Sequence, residues 1–223
     1  LGEDIPRFAG GWFSVQDEPA QRASNGGAPQ PGETVLDLCA APGGKTMHMA
    51  ELMRNEGRIV AADVQPERVN QIRESVGRLG LSCVEMVVIP ERPAADDSAA
   101  PDLPDELNGP FDAALVDVPC SNTGVLGKRP DVRWRIRPQD LVELPQLQQR
   151  LLQAAMQRVR PGGRVVYSTC SSESEENGNV VRSVLAASPE WSLESERIAV
   201  PGQPGDGGYL ALLRHGSATN GVS

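Results

Sequence analysis

Short apolar runs rich in β-branched residues alternate along this chain with longer stretches whose apolar positions recur at helical spacing. The runs stand at 34–39, 58–63 (RIVAAD), 84–89, 113–118 (AALVDV) and 164–169, with a further one at 209–214. Between them, 45–54, 66–79 and 141–159 carry the helical period, and Pro66 and Gly80 mark the start and stop of the second. Pro161-Gly162-Gly163 is expected to end the third helix, and Ser172 with Glu175 reads as a capping box for a helix reaching residue 187. Residues 1–31, rich in Gly, Pro and Gln, predict an irregular lead-in, and 90–110 a long loop without periodicity. No internal repeat is visible. Alternation of this kind predicts parallel βαβ units in an α/β fold with a doubly wound, mostly parallel sheet. Ligands of such sheets lie outside the carboxyl ends of the strands. Chemistry is therefore sought at 39–45, at 63, near 90, at 117–120 and at 169–170.

Composition narrows the class. A chain of 223 residues with 23% charged and 39% hydrophobic positions can bury one substantial core. We expect one domain over 32–216, a lead-in over 1–31 packing on it, and a tail over 217–223. No apolar run is long enough to span a membrane, and no signal peptide opens the chain, so neither a membrane nor export is expected. Because the first residue is Leu1, a longer natural chain is expected. Cys39, Cys83, Cys120 and Cys170 contain no C-x-x-C pair. That spacing suits neither a metal site nor a disulfide framework and points to reduced thiols in the cytoplasm. The net charge of −9 argues against a general nucleic-acid binder. One stretch changes that picture: Lys128, Arg129, Arg133, Arg135 and Arg137 face a single acid, Asp131. Acids farther away than a Debye length of roughly 8–10 Å do not cancel such a patch.

The segment VLDLCAAPGGKT, from Val35, ends like a phosphate loop, but Cys39 stands where that motif needs its first glycine. What is left is a strand, a small-residue turn and a helix start, which suits any ligand lying against a helix N-terminus. Asp63, the acid ending the second run, is placed to accept hydrogen bonds from a ribose diol; the alternative is an acid complementing the dipole of the following helix. A dinucleotide and S-adenosylmethionine would both satisfy that signal, and the missing G-x-G-x-x-G favours the second. Cys120 and Cys170 each fall at the tip of a predicted strand. A lone cysteine is usually a small buried hydrophobe, as we expect of Cys83, but two at strand tips invite a chemical reading.

The chain resembles the RNA cytosine-C5 methyltransferases of the Nol1/Nop2/Sun family. The resemblance rests on GWFSVQDE from Gly11, LDLCAAPGGKT, Asp63 with Arg68, DVPCSNTGVLGKRPDVRW from Asp117, VRPGGRVVYSTCSSESEEN from Val159, and a weaker DGGY from Asp206. It covers nearly the whole chain in the family's order and is nearest to the bacterial enzymes that methylate 16S cytidine, without their N-terminal RNA-binding domain. It implies a Rossmann-like class I S-adenosylmethionine-dependent methyltransferase. The cofactor would lie across Cys39, Ala40, Ala41, Pro42, Gly43, Gly44 and Lys45, with Asp63 on its ribose, Arg68 nearby and Asp117 alongside. Two departures stand out. Pro90 occupies the place of an aspartate expected on the adenine side, leaving Glu91, Asp96 or Asp97 as substitutes, and Gly208 replaces a usual aromatic residue.

The chemistry calls for two such groups. Cytosine C5 is a weak nucleophile until a thiolate adds at C6 and pushes electron density onto it. After methyl transfer a base removes the C5 proton and the thiol must leave. By similarity Cys170 attacks and Cys120 assists release, while Asp117 binds the N3/N4 edge of the base. Lys45 is placed to favour a nearby thiolate. The resemblance points to ribosomal RNA, with transfer RNA as the alternative and with naked RNA and an assembling ribosomal particle both open. Two further readings are a methyltransferase of a non-RNA substrate and a non-catalytic RNA-binding module. The base must come from a single strand or be flipped. Trp134 would either stack on RNA within the basic stretch or pack on the core, and Trp12 and Phe13 share that ambiguity. Glu173, Glu175 and Glu176 read as first-turn carboxylates without chemistry, and His48 receives no role.

Overall fold

The computed structural model describes residues 6–90, 104–202 and 205–217. Seven strands form one sheet: β1 (Thr34–Leu38), β2 (Arg58–Asp63), β3 (Val84–Val88), β4 (Phe111–Asp117), β5 (Val159–Thr169), β6 (Trp191–Ala199) and β7 (Gly208–His215). Their order is β3-β2-β1-β4-β5-β7-β6. The first five run parallel, while β7 lies antiparallel to both β5 and β6. The order reverses between β1 and β4, which opens the crevice where such sheets bind ligands.

Helices cover both faces, which is why the central strands read as continuous apolar runs. Side chains alternate across the sheet with period two. Leu36, Leu38, Val60, Val116 and Tyr167 point into one core, together with Leu152 of α6 (Asp140–Met156) and Val181 of α7 (Gly178–Ala186). Val35, Ile59, Ala61 and Leu115 point into the other. There they meet Ala50 of α3 (Gly44–Leu52), Ile72 of α4 (Pro66–Leu79) and Ala23 of α2 (Glu18–Gly27).

Four expectations are corrected. The lead-in is not irregular throughout: it holds the short α1 (Pro6–Ala9) and α2, whose Ala23 and Ser24 are buried. Its apolar face is made of alanine, serine and glycine, so the period was invisible to a search for large hydrophobes. Pro161-Gly162-Gly163 does not end a helix. Val159 pairs with Phe111 and Arg164 with Ala113, so 160–163 bulge out of β5, and Gly162 takes φ +79°. Ser172 and Glu175 form no cap, because 174–177 make a tight turn and α7 starts only at Gly178. The strand β6 was not anticipated. Trp191 and Leu193 pack on the core, and the rest of this edge strand is mostly exposed and carries Glu194, Glu196 and Arg197, charges of the kind that keep a sheet edge from pairing further. The loop expected over 90–110 falls mostly outside the described residues.

Arg164 on β5 fastens α2 to the sheet. Its guanidinium meets Glu33 through Nη1–Oε1 at 2.9 Å and Nη2–Oε2 at 2.5 Å, and also donates to the carbonyls of Gly27 and Ala28. Both side chains are largely buried, so losing one strands the other's charge. Arg164→Ala should lower the unfolding free energy by roughly 2–4 kcal/mol in urea titrations; a change within about 0.5 kcal/mol, as for an ordinary surface substitution, would show that the clamp carries little.

Candidate active site

The loop after β1 is shaped by two residues with left-handed backbone, Cys39 (φ 65°) and Gly43 (φ 99°). It is braced at Ala41 from two sides. Asp63 Oδ2 accepts the Ala41 N–H at 3.1 Å, and Arg68 Nη2 donates to the Ala41 carbonyl at 2.7 Å. Asp63 Oδ1 also accepts the Gln65 N–H at 3.2 Å. Beneath the loop, Asp37 is fully buried and accepts from Thr46 Oγ1 at 2.6 Å, while its Oδ1 has no partner. Burial pushes its carboxyl up to about 7 against the pull of Thr46 and Lys45. The Cys39 thiol is likewise pushed well up, by burial first and then by the charges of Asp63, Asp117 and Asp37.

The two thiols meet because β4 and β5 are neighbours running the same way. Asp117 sits opposite Ser168, and Val118 N–H donates to the Ser168 carbonyl at 3.1 Å, so both chains leave the sheet side by side. The Cys120 and Cys170 sulfurs end 3.2 Å apart. Asn122, with φ 61°, donates through Nδ2 to the Cys120 carbonyl at 2.8 Å, and its Oδ1 accepts from Cys170 Sγ at 2.9 Å. Lys45 Nζ reaches Asp117 Oδ2 at 2.6 Å. Burial works against the Lys45 charge, but Asp117 more than offsets it and the ammonium is held above its usual range.

The pair is electrostatically unequal. The hydrogen bond from Cys120 holds Cys170 below the ordinary thiol range; burial and Asp117 oppose this, and Lys45 supports it. Cys120 is pushed well up by the same bond and by burial. Cys170 is thus the more acidic of the two sulfurs, and its thiolate form would be favoured by the Cys120 thiol as donor. They also face different spaces. Cys170 lines a cavity of about 410 Å³ with Pro42, Lys45 and Asp117, whereas Cys120 lines a second of about 230 Å³ with Arg129 and Arg135. Cys39, Ala40, Ala41, Gly43, Gly44, Asp63 and Arg68 do not line the larger cavity and form the adjoining loop and its braces.

Three residues near the sulfurs escaped sequence reasoning. Asn122 gives no distinctive signal. Gly124 donates its N–H to the Cys170 carbonyl at 3.0 Å, and a Cβ there would meet that oxygen at 2.8 Å and the Gly207 carbonyl at 2.6 Å. Glu176, read as an idle carboxylate, is fully buried behind both cysteine loops. Three glutamates in SSESEE look alike until burial separates them. Where an aromatic residue was expected, a Cβ at Gly208 would approach the Thr169 carbonyl to 2.7 Å, so the backbone itself fills that place.

Trp134, on the single turn α5 (Val132–Arg135), is 86% exposed and does not pack on the core. Arg133, Arg135 and Arg137 are exposed around it. Lys128 is instead held within the protein, by Asp17 at 2.9 Å and Asp206 at 2.7 Å. Trp12 is 73% exposed beneath Arg7, and Phe13 packs against Phe8. Cys83 is buried as expected. Glu91, Asp96 and Asp97 lie outside the described residues, among which no cluster of His, Cys, Asp and Glu could hold a metal ion.

A family model described as 16S rRNA methyltransferase RsmB/F matches residues 27–219. Ribosomal RNA small subunit methyltransferase B of Salmonella paratyphi B is 39% identical over 201 residues, covering 90% of this chain and 44% of that protein. The chain therefore spans less than half the length of such curated relatives. Among solved structures, NSun6 from Pyrococcus horikoshii with SFG superposes with a TM-score of 0.80 at 29% identity, over 95% of this chain and 55% of that one. A methyltransferase homolog protein from Pyrococcus horikoshii gives 0.76 at 30% identity, over 94% and 70%.

The inequality of the sulfurs is open to measurement. Iodoacetamide should label Cys170 ahead of Cys120 at neutral pH, with an inflection below the ordinary thiol value, since a lowered pKa keeps the thiolate present at lower pH. Cys120→Ala removes the donor that favours the thiolate and should move the Cys170 inflection to higher pH. Peptide mass spectrometry reads both, and an unmoved profile would count against the assignment.

Proposed function

The chain belongs to the 16S rRNA methyltransferase RsmB/F family, and from that premise we propose that it methylates C5 of a cytidine in ribosomal RNA with S-adenosylmethionine as donor. Its sheet is that of a Rossmann-like methyltransferase. The observation that carries the finer reading is the thiol pair, 3.2 Å apart beside the Lys45–Asp117 ion pair. No other chemistry weighed for this chain needs two sulfurs in contact.

The residues present fit the cofactor. Each Asp63 oxygen accepts one backbone N–H and so keeps a lone pair for a ribose hydroxyl. The loop from Cys39 to Lys45 leads directly into the N-terminus of α3, and Arg68 holds it in shape. When bound, S-adenosylmethionine supplies an electrophilic methyl group on a sulfonium. The chain's own side chains do the rest. The Cys170 thiolate adds to C6 of the base, moving an electron pair onto C5, which takes the methyl group. Asp117, held by Lys45, accepts a hydrogen bond from the exocyclic N4–H at the N3/N4 edge and steadies the base. Removal of the C5 proton by a base then restores the C5–C6 double bond and expels Cys170 as a thiolate, and Cys120, already hydrogen-bonded to that sulfur, assists its departure. Exposed Arg133, Arg135 and Arg137 suit the phosphate backbone, and Trp134 offers a stacking face.

Incubation with labelled cofactor and cytidine-containing ribosomal RNA, read by bisulfite conversion, should give a C5 mark. Cys170→Ala should lower the rate by at least about a thousandfold, and Cys120→Ala should accumulate a covalent protein–RNA adduct. Absence of a mark with wild-type protein refutes the reading. Retained activity in Cys170→Ala would move the chain to a methyltransferase in which the thiols are incidental.

Trp134→Ala tests the RNA face separately. Losing one stacked base should raise KM for RNA roughly tenfold and leave KM for the cofactor unchanged in steady-state assays. Equal KM values would remove Trp134 from the interface.

A further inference from the structure

Behind the two cysteines lies a polar cluster sealed from solvent. Glu176, Gln148, Tyr167 and Ser171 are fully buried, and Ser121 and Asn177 nearly so. Ser121 follows Cys120 and Ser171 follows Cys170. The Glu176 carboxylate joins them. Its Oε1 accepts the Ser121 N–H at 2.9 Å and Gln148 Nε2 at 3.0 Å, and its Oε2 accepts both the Ser121 and the Ser171 hydroxyl. A carboxylate is an acceptor at both oxygens, so it takes four donors at once.

The other members fix the carboxylate in turn. Gln148 Nε2 also donates to the Pro119 carbonyl at 2.9 Å, just before Cys120. Tyr167 Oη donates to the Glu176 carbonyl at 2.6 Å. The next residue, Asn177, accepts from Thr169 Oγ1 at 2.6 Å and donates to the Ser171 carbonyl at 3.0 Å, straddling Cys170. Each thiol-bearing loop is thus held on both sides of its cysteine, and one side chain belongs to both sets of restraints.

We propose that Glu176 is a positioning residue that sets the separation of the Cys120 and Cys170 sulfurs, by tying the loop after β4 to the loop after β5. It touches neither sulfur and acts through Ser121 and Ser171. A hydrogen-bond network that is fully satisfied in a dry interior rigidifies what it joins. The consequence for sulfur spacing follows from the geometry alone; the consequence for turnover rests on the function proposed above.

The test separates the two. Diamide accepts two electrons and two protons from a thiol pair, leaving a disulfide between the sulfurs. In the wild-type protein it should cross-link Cys120 to Cys170 rapidly, as read by peptide mass spectrometry. Glu176→Ala should slow that cross-link about 10–100-fold, the scale on which misplacement by an ångström is felt. Glu176→Gln keeps the length and can still bridge both hydroxyls by donating to them, so it should recover most of the rate. In methylation assays, Glu176→Ala should lower kcat by a similar factor and leave KM for the cofactor unchanged. Wild-type cross-linking in Glu176→Ala overturns the proposal whatever the activity. Slowed cross-linking in Glu176→Ala, with a wild-type chain that methylates no RNA, would leave the positioning role standing and sink the catalytic reading instead. Should Glu176→Ala fail to fold, the double variant Ser121→Ala with Ser171→Ala keeps the carboxylate and removes both hydroxyl ties. Slowed cross-linking there supports the proposal, and an unchanged rate overturns it.

Discussion

Everything at this site depends on two parallel strands ending level with each other. β4 and β5 pair with Asp117 opposite Ser168, and a parallel ladder fixes that register along its whole length. A slip by one residue would turn Cys170 to the other face of the sheet. The register is held by apolar alternation on both faces, with Val116 and Tyr167 on one side and Leu115 and Val166 on the other. The four-residue bulge at 160–163 absorbs mismatch at the far end, so that it does not reach the strand tips.

Charge at the site is arranged in pairs. Lys45 pairs with Asp117, and Cys170 is held down chiefly by the hydrogen bond from Cys120, against burial and Asp117 and with Lys45 in support. Asp37 shows the opposite case: buried with one hydrogen bond, it is pushed towards its neutral form. An acidic chain can therefore carry a thiol more acidic than usual, because Asp117 is paired with Lys45 and Asp37 is pushed towards neutrality. The net charge of −9 says little about this neighbourhood.

How much could be read beforehand follows physical lines. The parallel strands and α4 were legible because burial on both faces of a sheet, and a proline and glycine at a helix's ends, leave patterns in the residues themselves. The Cys120–Cys170 pair was legible because each cysteine stood at the end of such a strand. α2 was missed because its buried face is made of small residues, and β6 because an edge strand has no need of apolar alternation. Glu176 was misread for a different reason. A carboxylate that organises a site and one that decorates a helix start are the same letter, and only the donors converging on it tell them apart.

The separate spaces behind the thiols carry a consequence for proton traffic. A base seated against Cys170 would fill the larger chamber, yet the smaller one beside Arg129 and Arg135 still reaches Cys120. Water arriving through that second opening would replenish the Cys120 hydrogen while the first stays filled. The second sulfur would then be reset by its own route, beside the arginines rather than through the chamber that holds the base.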